Sequence, residues 1–284
     1  MVTTDGTPFD PLSLNVYQGH QTGPPLVFVH GVLRCWQDFR PLFPYLGYDW
    51  TCVALDQRGH GESERVPKQY EVMHYVGDVV QFVESQFEQP VILYGHSLGA
   101  MVVAAVAAEL GNKIGGAILE DPPFETMGSR IQETPLLSYF NGIRDVVHAH
   151  REPWAIASAL AEVKIVDPVS GVIQKLSDIR DEASLIFAAK CLAKIDPGVL
   201  DPIVESRWLR NYDFQQVTQM IECPMLVLQG DPNAGGMLTD EDVSIMKSLK
   251  PNLFHVKFHG GGHQLHWTRR EELINAVTSF LVTP

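Results

Sequence analysis

The sequence Pro90-Val91-Ile92-Leu93-Tyr94-Gly95-His96-Ser97-Leu98-Gly99 is followed by a mostly apolar run from Ala100 to Leu110. The run before Gly95 is typical of a buried strand, and the run after Gly99 is typical of a helix. Gly-x-Ser-x-Gly at a strand-to-helix junction is the pattern of a nucleophile elbow, whose serine takes a strained backbone conformation. The helix directs its N-terminal N–H groups at this point. We therefore predict that Ser97 is a nucleophile; the alternative is a packing turn with an idle serine.

The rest of the chain divides into three blocks. Strand-like and helix-like segments alternate up to residue 123, which predicts parallel strands joined by crossover helices. Residues 124–213 contain helical segments and proline breaks but no convincing strand, and the alternation resumes from residue 214. We predict an α/β fold: residues 1–123 and 214–284 form a mostly parallel central sheet with helices on both faces. Residues 124–213 form an inserted helical lid.

Four predicted strands end in polar or glycine-rich residues. These ends are His30-Gly31, Ser97, Asp121 and the turn that carries His263. Sites in open α/β sheets form at the carboxyl ends of the strands, so we expect these residues to meet at one edge.

A serine hydroxyl needs an imidazole within hydrogen-bond reach to act as a nucleophile at neutral pH. His263 follows three glycines after the last predicted strand and is our candidate base. Its competitors are His259, which precedes the glycines, and His266, which we expect under the closing helix. His263 and His266 have the spacing of a metal-binding pair, but no third ligand accompanies them, so we expect no metal.

The chain resembles an α/β-hydrolase over nearly its whole length. The resemblance lies in His30-Gly31, the loop Asp56-x-Arg58-Gly59-x-Gly61-x-Ser63, the elbow, and Gly262-His263. It implies that Ser97 is the nucleophile and His263 the general base. It also implies that the backbone N–H groups of Val32 and Leu98 form the oxyanion hole. We expect Arg58 and Ser63 to be structural.

The acid of the triad is open between three carboxylates. Most α/β-hydrolases carry it three residues past a glycine after the strand beyond the lid, but here Gly230 is followed by Asp231 directly and by Asn233 at that place. An asparagine cannot hold a charge against an imidazolium. A minority of the family, including some lactone hydrolases, carries the acid after the strand that follows the nucleophile helix. We therefore favour Asp121, with Asp231 and Glu120 as alternatives.

Substrate-binding residues are less evident. Arg34 stands two residues beyond the oxyanion position, where it meets either a substrate carboxylate or a surface or lid salt-bridge partner. Four aromatic residues are candidates to line an apolar pocket, with packing inside the lid as the alternative: Tyr139, Phe140, Trp154 and Trp208.

Composition limits the partners and the location. The formal net charge of −13 argues against nucleic acid or an anionic membrane as a partner. The four cysteines lack metal-ligand spacing and fit reduced thiols in a cytosol: Cys35, Cys52, Cys191 and Cys223. Residues 1–11 contain no hydrophobic signal core, and no apolar run approaches the roughly 18 residues of a membrane helix. We expect a cytoplasmic protein.

The resemblance implies a cofactor-free serine hydrolase that cleaves a small carboxylic ester or lactone. A serine at the elbow departs from the aspartate of dehalogenases and epoxide hydrolases and from the cysteine of dienelactone hydrolases. The rival functions are a carbon–carbon bond hydrolase or acyltransferase on the same triad, and a ligand receptor that retains the triad. The sequence leaves the substrate and the oligomeric state open.

Overall fold

The computed structural model describes residues 12–167 and 170–282. Seven strands form one sheet in the order β1-β3-β2-β4-β5-β8-β9. All neighbours are parallel except β1 and β3. The strands of this sheet are β1 Val16–Gln18, β2 Pro25–Val29, β3 Thr51–Leu55, β4 Val91–His96, β5 Ile114–Glu120, β8 Met225–Gly230 and β9 Phe254–Phe258.

The α-helices connect and cover these strands. They are α1 Phe43–Leu46, α2 Val72–Gln86, α3 Leu98–Leu110, α4 Leu136–Ala149, α5 Pro153–Ala161, α6 Leu176–Ile179, α7 Glu182–Leu192, α8 Asp201–Val204, α9 Phe214–Met220, α10 Asp240–Leu249, α11 Leu265–Thr268 and α12 Arg270–Leu281. The 3₁₀ helices are Trp36–Phe39, Gly111–Lys113, Phe124–Thr126, Ile131–Glu133, Pro197–Leu200 and Pro232–Ala234. Among the described residues, no helix is long and apolar enough to span a bilayer.

The two faces of the sheet bury two separate apolar clusters, because successive side chains of a strand point to opposite faces. In β2, Val27 and Val29 join the cluster that includes α2 and α3, whereas Leu26 and Phe28 join the cluster that includes α12. Both faces are covered by helices, which agrees with the continuous apolar runs of the predicted strands. The sheet is therefore the rigid platform on which the site is assembled.

The segment 124–213, which we call the lid, contains α4 to α8 and a small antiparallel hairpin. Strands β6 (Lys164–Val166) and β7 (Ile173–Lys175) pair with each other. The expectation that this segment holds no strand was therefore wrong. Strands of three residues are too short to show the period-two pattern on which the prediction depends. Lid side chains such as Ile143 and Leu160 are buried and belong to the same apolar cluster as α3.

The region from Trp36 to Leu46, which follows β2, contains two short elements, the 3₁₀ helix Trp36–Phe39 and α1. Pro41 lies between them, and a proline removes a backbone donor and clashes with the preceding turn. The second half of this region, α1, begins next to Pro44.

Candidate active site

The predicted elbow is present, with Ser97 between the end of β4 and the first residue of α3. Its backbone angles, φ 55° and ψ −120°, lie in a region that residues other than glycine rarely adopt. A Cβ on Gly95 would lie 2.2 Å from the Gly99 carbonyl oxygen, and a Cβ on Gly99 would lie 1.9 Å from the Val29 oxygen. Only glycine fits at these two positions, so the pattern of the pentapeptide follows directly from the tightness of the turn.

The loop after β2 brings the Val32 backbone close to the elbow. His30 fixes this loop: its Nε2 accepts the Gln57 N–H at 3.0 Å and its Nδ1 donates to the Gly31 oxygen at 2.7 Å. Burial lowers the pKa of His30, in keeping with a neutral ring. Within the described chain, no hydrogen bond occupies the Val32 N–H. The Leu98 N–H begins α3, where a helix has no acceptor of its own.

Asp121 and His263 are hydrogen-bonded to each other. The Asp121 Oδ2 lies 2.6 Å from His263 Nδ1. Three backbone N–H groups also donate to this carboxylate: those of Gly230 at 2.9 Å, Met237 at 2.8 Å and Leu238 at 3.2 Å. These donors compensate a fully buried carboxylate for its lost water. Since Nδ1 donates to Asp121, Nε2 is the ring nitrogen of His263 that can act as a base.

Asp231 is engaged elsewhere. Its Oδ1 accepts the Asn233 N–H at 3.0 Å, and its Oδ2 accepts the Gly260 N–H at 2.9 Å. The Gly260 and Asn233 donors lower the pKa of the Asp231 carboxyl. The side chain therefore caps the 3₁₀ helix Pro232–Ala234 and ties it to the loop after β9.

Glu120 belongs to a buried ion-pair network with His266 and Asp38. The Glu120 carboxylate lies 2.8 Å from His266 Nδ1 and accepts the Tyr94 hydroxyl at 2.5 Å. Asp38 Oδ2 lies 3.3 Å from His266 Nε2, and its Oδ1 accepts the Trp267 indole N–H at 2.9 Å. This network lies below the site and anchors α11, the helix that follows His263.

Attraction between His266 and the carboxylates of Glu120 and Asp38 keeps these buried groups charged. Burial opposes the charged form of His266, but Glu120 and Asp38 outweigh it and raise its pKa to about 10. Burial also opposes ionisation of Glu120, yet the charge of His266 and its hydrogen bond lower the pKa of Glu120 to about 2. The network is therefore an imidazolium between two carboxylates at neutral pH.

His96, the second residue of the elbow, was not predicted to matter. Its Nε2 donates to the His263 backbone oxygen at 2.9 Å, and the two rings lie 4.7 Å apart. Burial lowers the pKa of His96 to about 3, so the ring is neutral. His96 thus fixes the loop that carries the base. The only signal in the sequence is a histidine inside the pentapeptide, and that alone does not reveal its partner.

The residues that remain from the sequence analysis are Arg58 and Ser63, which we expected to be structural, and His259, an alternative base. Arg58 is buried and holds Asp78 with two hydrogen bonds of 2.6 Å, while the Ser63 hydroxyl donates to the Asp56 oxygen at 2.6 Å. Both therefore form contacts within the protein, away from the cavity lining. His259 is exposed on the loop after β9.

A cluster that could bind a metal ion consists of His96, Glu120 and His266, whose ligand atoms lie within 4.8 Å of one another. These residues are buried, and Glu120 and His266 hydrogen-bond to each other. We interpret the cluster as part of the ion-pair network.

A cavity of about 510 Å³ lies between the sheet edge and the lid, and both Ser97 and His263 line it. Tyr139, Phe140 and Trp208 line it as well. Trp154 does not: its side chain is 74% exposed on α5, so its proposed place in the pocket was wrong. Tryptophan is apolar enough to predict burial but gives no information on which side of a lid helix it faces.

Comparisons with known proteins identify the family and agree with the fold. A model of the alpha/beta hydrolase family matches residues 26–276. The 2-(acetamidomethylene)succinate hydrolase of Mesorhizobium japonicum is 25% identical over 95% of this chain and 92% of its own length. A putative esterase/lipase of Haemophilus influenzae is 25% identical over 95% of this chain and 88% of its own. The crystal structure of the enol-lactonase from Burkholderia xenovorans, 17% identical, superimposes with a TM-score of 0.70 over 96% of this chain and 97% of that one.

Proposed function

We propose, from the premise that this chain belongs to the alpha/beta hydrolase family, that it is a serine hydrolase of small carboxylic esters or lactones. The observation that carries the proposal is the meeting of Ser97 and the Asp121-bound His263 at one cavity. The relatives named as a succinate-derivative hydrolase and as an esterase/lipase support hydrolysis of a carboxylic acid derivative.

The first half of the reaction forms an acyl-enzyme. Ser97 Oγ attacks the carbonyl carbon while its proton passes to Nε2 of His263. Asp121 accepts the Nδ1–H and stabilises the imidazolium that results. The carbonyl oxygen becomes an oxyanion, to which the N–H groups of Val32 and Leu98 donate; each such donor contributes a factor of about 10² to 10³ in rate. The tetrahedral species collapses, and the leaving alcohol takes the proton from His263.

The second half returns the free enzyme. His263 takes a proton from water, the hydroxide attacks the acyl carbon, and the ester bond to Ser97 breaks as the proton returns to Oγ. An ester gives an alcohol and a carboxylic acid. A lactone gives one hydroxy acid, because its alcohol and acyl parts are joined.

Ser97→Ala tests the proposal. In a screen of esters, lactones and thioesters of graded size, turnover of the best substrate should fall by roughly 10⁴ to 10⁶. The urea midpoint should stay that of the wild type, because the hydroxyl is not part of the core. A burst of alcohol release in the wild type would report the acyl-enzyme. Full activity of Ser97→Ala on that substrate would refute the proposal.

A further inference from the structure

The cavity combines an apolar wall with an unusual set of charges. The described residues that line it include two arginines, Arg34 and Arg180, and no aspartate or glutamate. The whole chain carries a formal net charge of −13 because acidic residues outnumber basic ones. The lining of the cavity, which has no acidic side chain among the described residues, differs from the rest of the chain in this respect. The charges inside the cavity are therefore suited to an anion.

Arg34 is held in place but keeps its hydrogen-bonding groups open. Arg34 is 8% exposed, and its guanidinium carbon lies 5.7 Å from the centre of the Phe187 ring on α7. Its only ion pair within the described chain is with Asp38, from Nε at 3.9 Å, which is too long for a hydrogen bond. Asp38 itself is bound to Trp267 and faces His266.

The Arg34 guanidinium lines the cavity, and its N–H groups have no hydrogen-bond acceptor among the described residues, so a ligand in the cavity can supply one. Arg34 also lies two residues beyond Val32, so an anion bound to it would sit beside the proposed oxyanion hole. Arg180, at the end of α6, lines the same cavity from the lid and forms no ion pair within the described chain.

We propose that Arg34, assisted by Arg180, binds a carboxylate of the substrate, so that the preferred substrates are half-esters or lactones that carry a free carboxylate. That the substrate is an ester or lactone rests on the proposed function, whereas the binding of an anion by Arg34 and Arg180 does not. A planar guanidinium matches a carboxylate with two parallel hydrogen bonds. The Asp38 carboxylate nearby offsets part of the Arg34 charge, which favours a monoanion over a phosphate dianion.

The test measures binding to Ser97→Ala, which needs no turnover. The probes are monoethyl succinate, its uncharged isostere ethyl 4-methylpentanoate, and inorganic phosphate, each followed by calorimetry at low ionic strength. We expect monoethyl succinate to bind at least about tenfold more tightly than the isostere, since charged hydrogen bonds are the strong ones. Adding Arg34→Gln should weaken its binding roughly 10- to 100-fold. Adding Arg40→Gln, an exposed arginine outside the cavity lining, should not.

Arg180→Gln provides a second variant in case Arg34→Gln does not fold, because Arg180 is only partly buried. It should weaken monoethyl succinate roughly threefold to tenfold. Equal affinity for the anion and its isostere, or tighter binding of phosphate, would overturn the inference. Hydrolysis of both esters by the wild type without preference for the anion would overturn it while leaving the proposed function intact. Tighter binding of monoethyl succinate than of the isostere, with no hydrolysis of either ester by the wild type, would support the anion site and contradict the proposed function.

Discussion

At the scale of single residues, the proposed acid of the triad illustrates what the sequence predicts and what it does not. Ser97 and His263 could be predicted as candidates because each stands in a glycine-rich turn whose spacing is tied to its geometry. The choice between Asp121 and Asp231 depends on hydrogen bonds across more than a hundred residues of chain. Asn233 in place of a carboxylate pointed to Asp121, but the backbone donors of Gly230, Met237 and Leu238 could only be seen in the structure.

Gly31 shows how closely the oxyanion loop approaches the elbow. A Cβ at this position would lie 3.0 Å from His96 Nδ1 and 3.1 Å from Ser97 Cβ. Gly31→Ala should therefore displace the Val32 N–H by a few tenths of an ångström and lower kcat. We expect a loss of about tenfold to a hundredfold, somewhat less than removal of a whole oxyanion donor. Steady-state kinetics on the best ester measures it.

The matched control is Gly115→Ala on β5, where an added Cβ meets nothing nearer than 3.8 Å. This variant should keep the wild-type kcat. Equal kcat values for Gly31→Ala and the wild type would mean that the loop does not need this close approach.

At the scale of elements, the sheet followed the predicted pattern, and the lid holds the predicted helical segments together with a hairpin that was not predicted. Apolar strands covered on both faces leave a strong signal, whereas the β6–β7 hairpin and the orientation of Trp154 depend on packing between short segments. The network of Asp38, Glu120 and His266 joins elements far apart in the chain, so no local pattern announces it. It connects the 3₁₀ helix Trp36–Phe39 and the end of β5 to α11, the helix that follows His263.

The network gives stability a pH dependence. The pKa of His266 is raised in the folded protein to about 10, from about 6.5 in an unfolded chain. Its stabilising contribution is thus complete below about pH 6.5 and is lost as the pH rises towards 10. From pH 7 to 9, this group alone should lower the free energy of unfolding by about 1 kcal/mol per pH unit. Urea titrations at pH 7, 8 and 9 measure this slope.

His266→Gln should lose this slope, and the exposed His259→Gln should keep it. His266→Gln should also lower the free energy of unfolding at pH 7 by about 3–5 kcal/mol, because two buried carboxylates lose their counter-charge. An identical slope in His266→Gln and in the wild type would show that His266 is not charged between Glu120 and Asp38.

At the scale of the whole molecule, parallel topology brings the site together. The loops after β2, β4, β5 and β9 leave the same edge of the sheet, and their residues Val32, Ser97, Asp121 and His263 are far apart in the sequence. The alternation of strands and helices, which predicts parallel strands, was enough to predict this meeting. Arg34 could be considered from its place beside the oxyanion position, whereas Arg180 could not, because its place in the cavity depends on which lid side chains face inward.

The rate at which a fluorophosphonate labels the protein tests the proposed triad most directly. Peptide mass spectrometry would locate the label, and the second-order rate would be compared among wild type, Asp121→Asn and Asp231→Asn. We predict a single label on Ser97. Its rate should fall by roughly 10³ to 10⁴ in Asp121→Asn, because the amide favours the wrong tautomer of His263, and stay within about tenfold in Asp231→Asn. A label on another residue, or a large loss in Asp231→Asn with Asp121→Asn unaffected, would contradict the triad proposed for this protein.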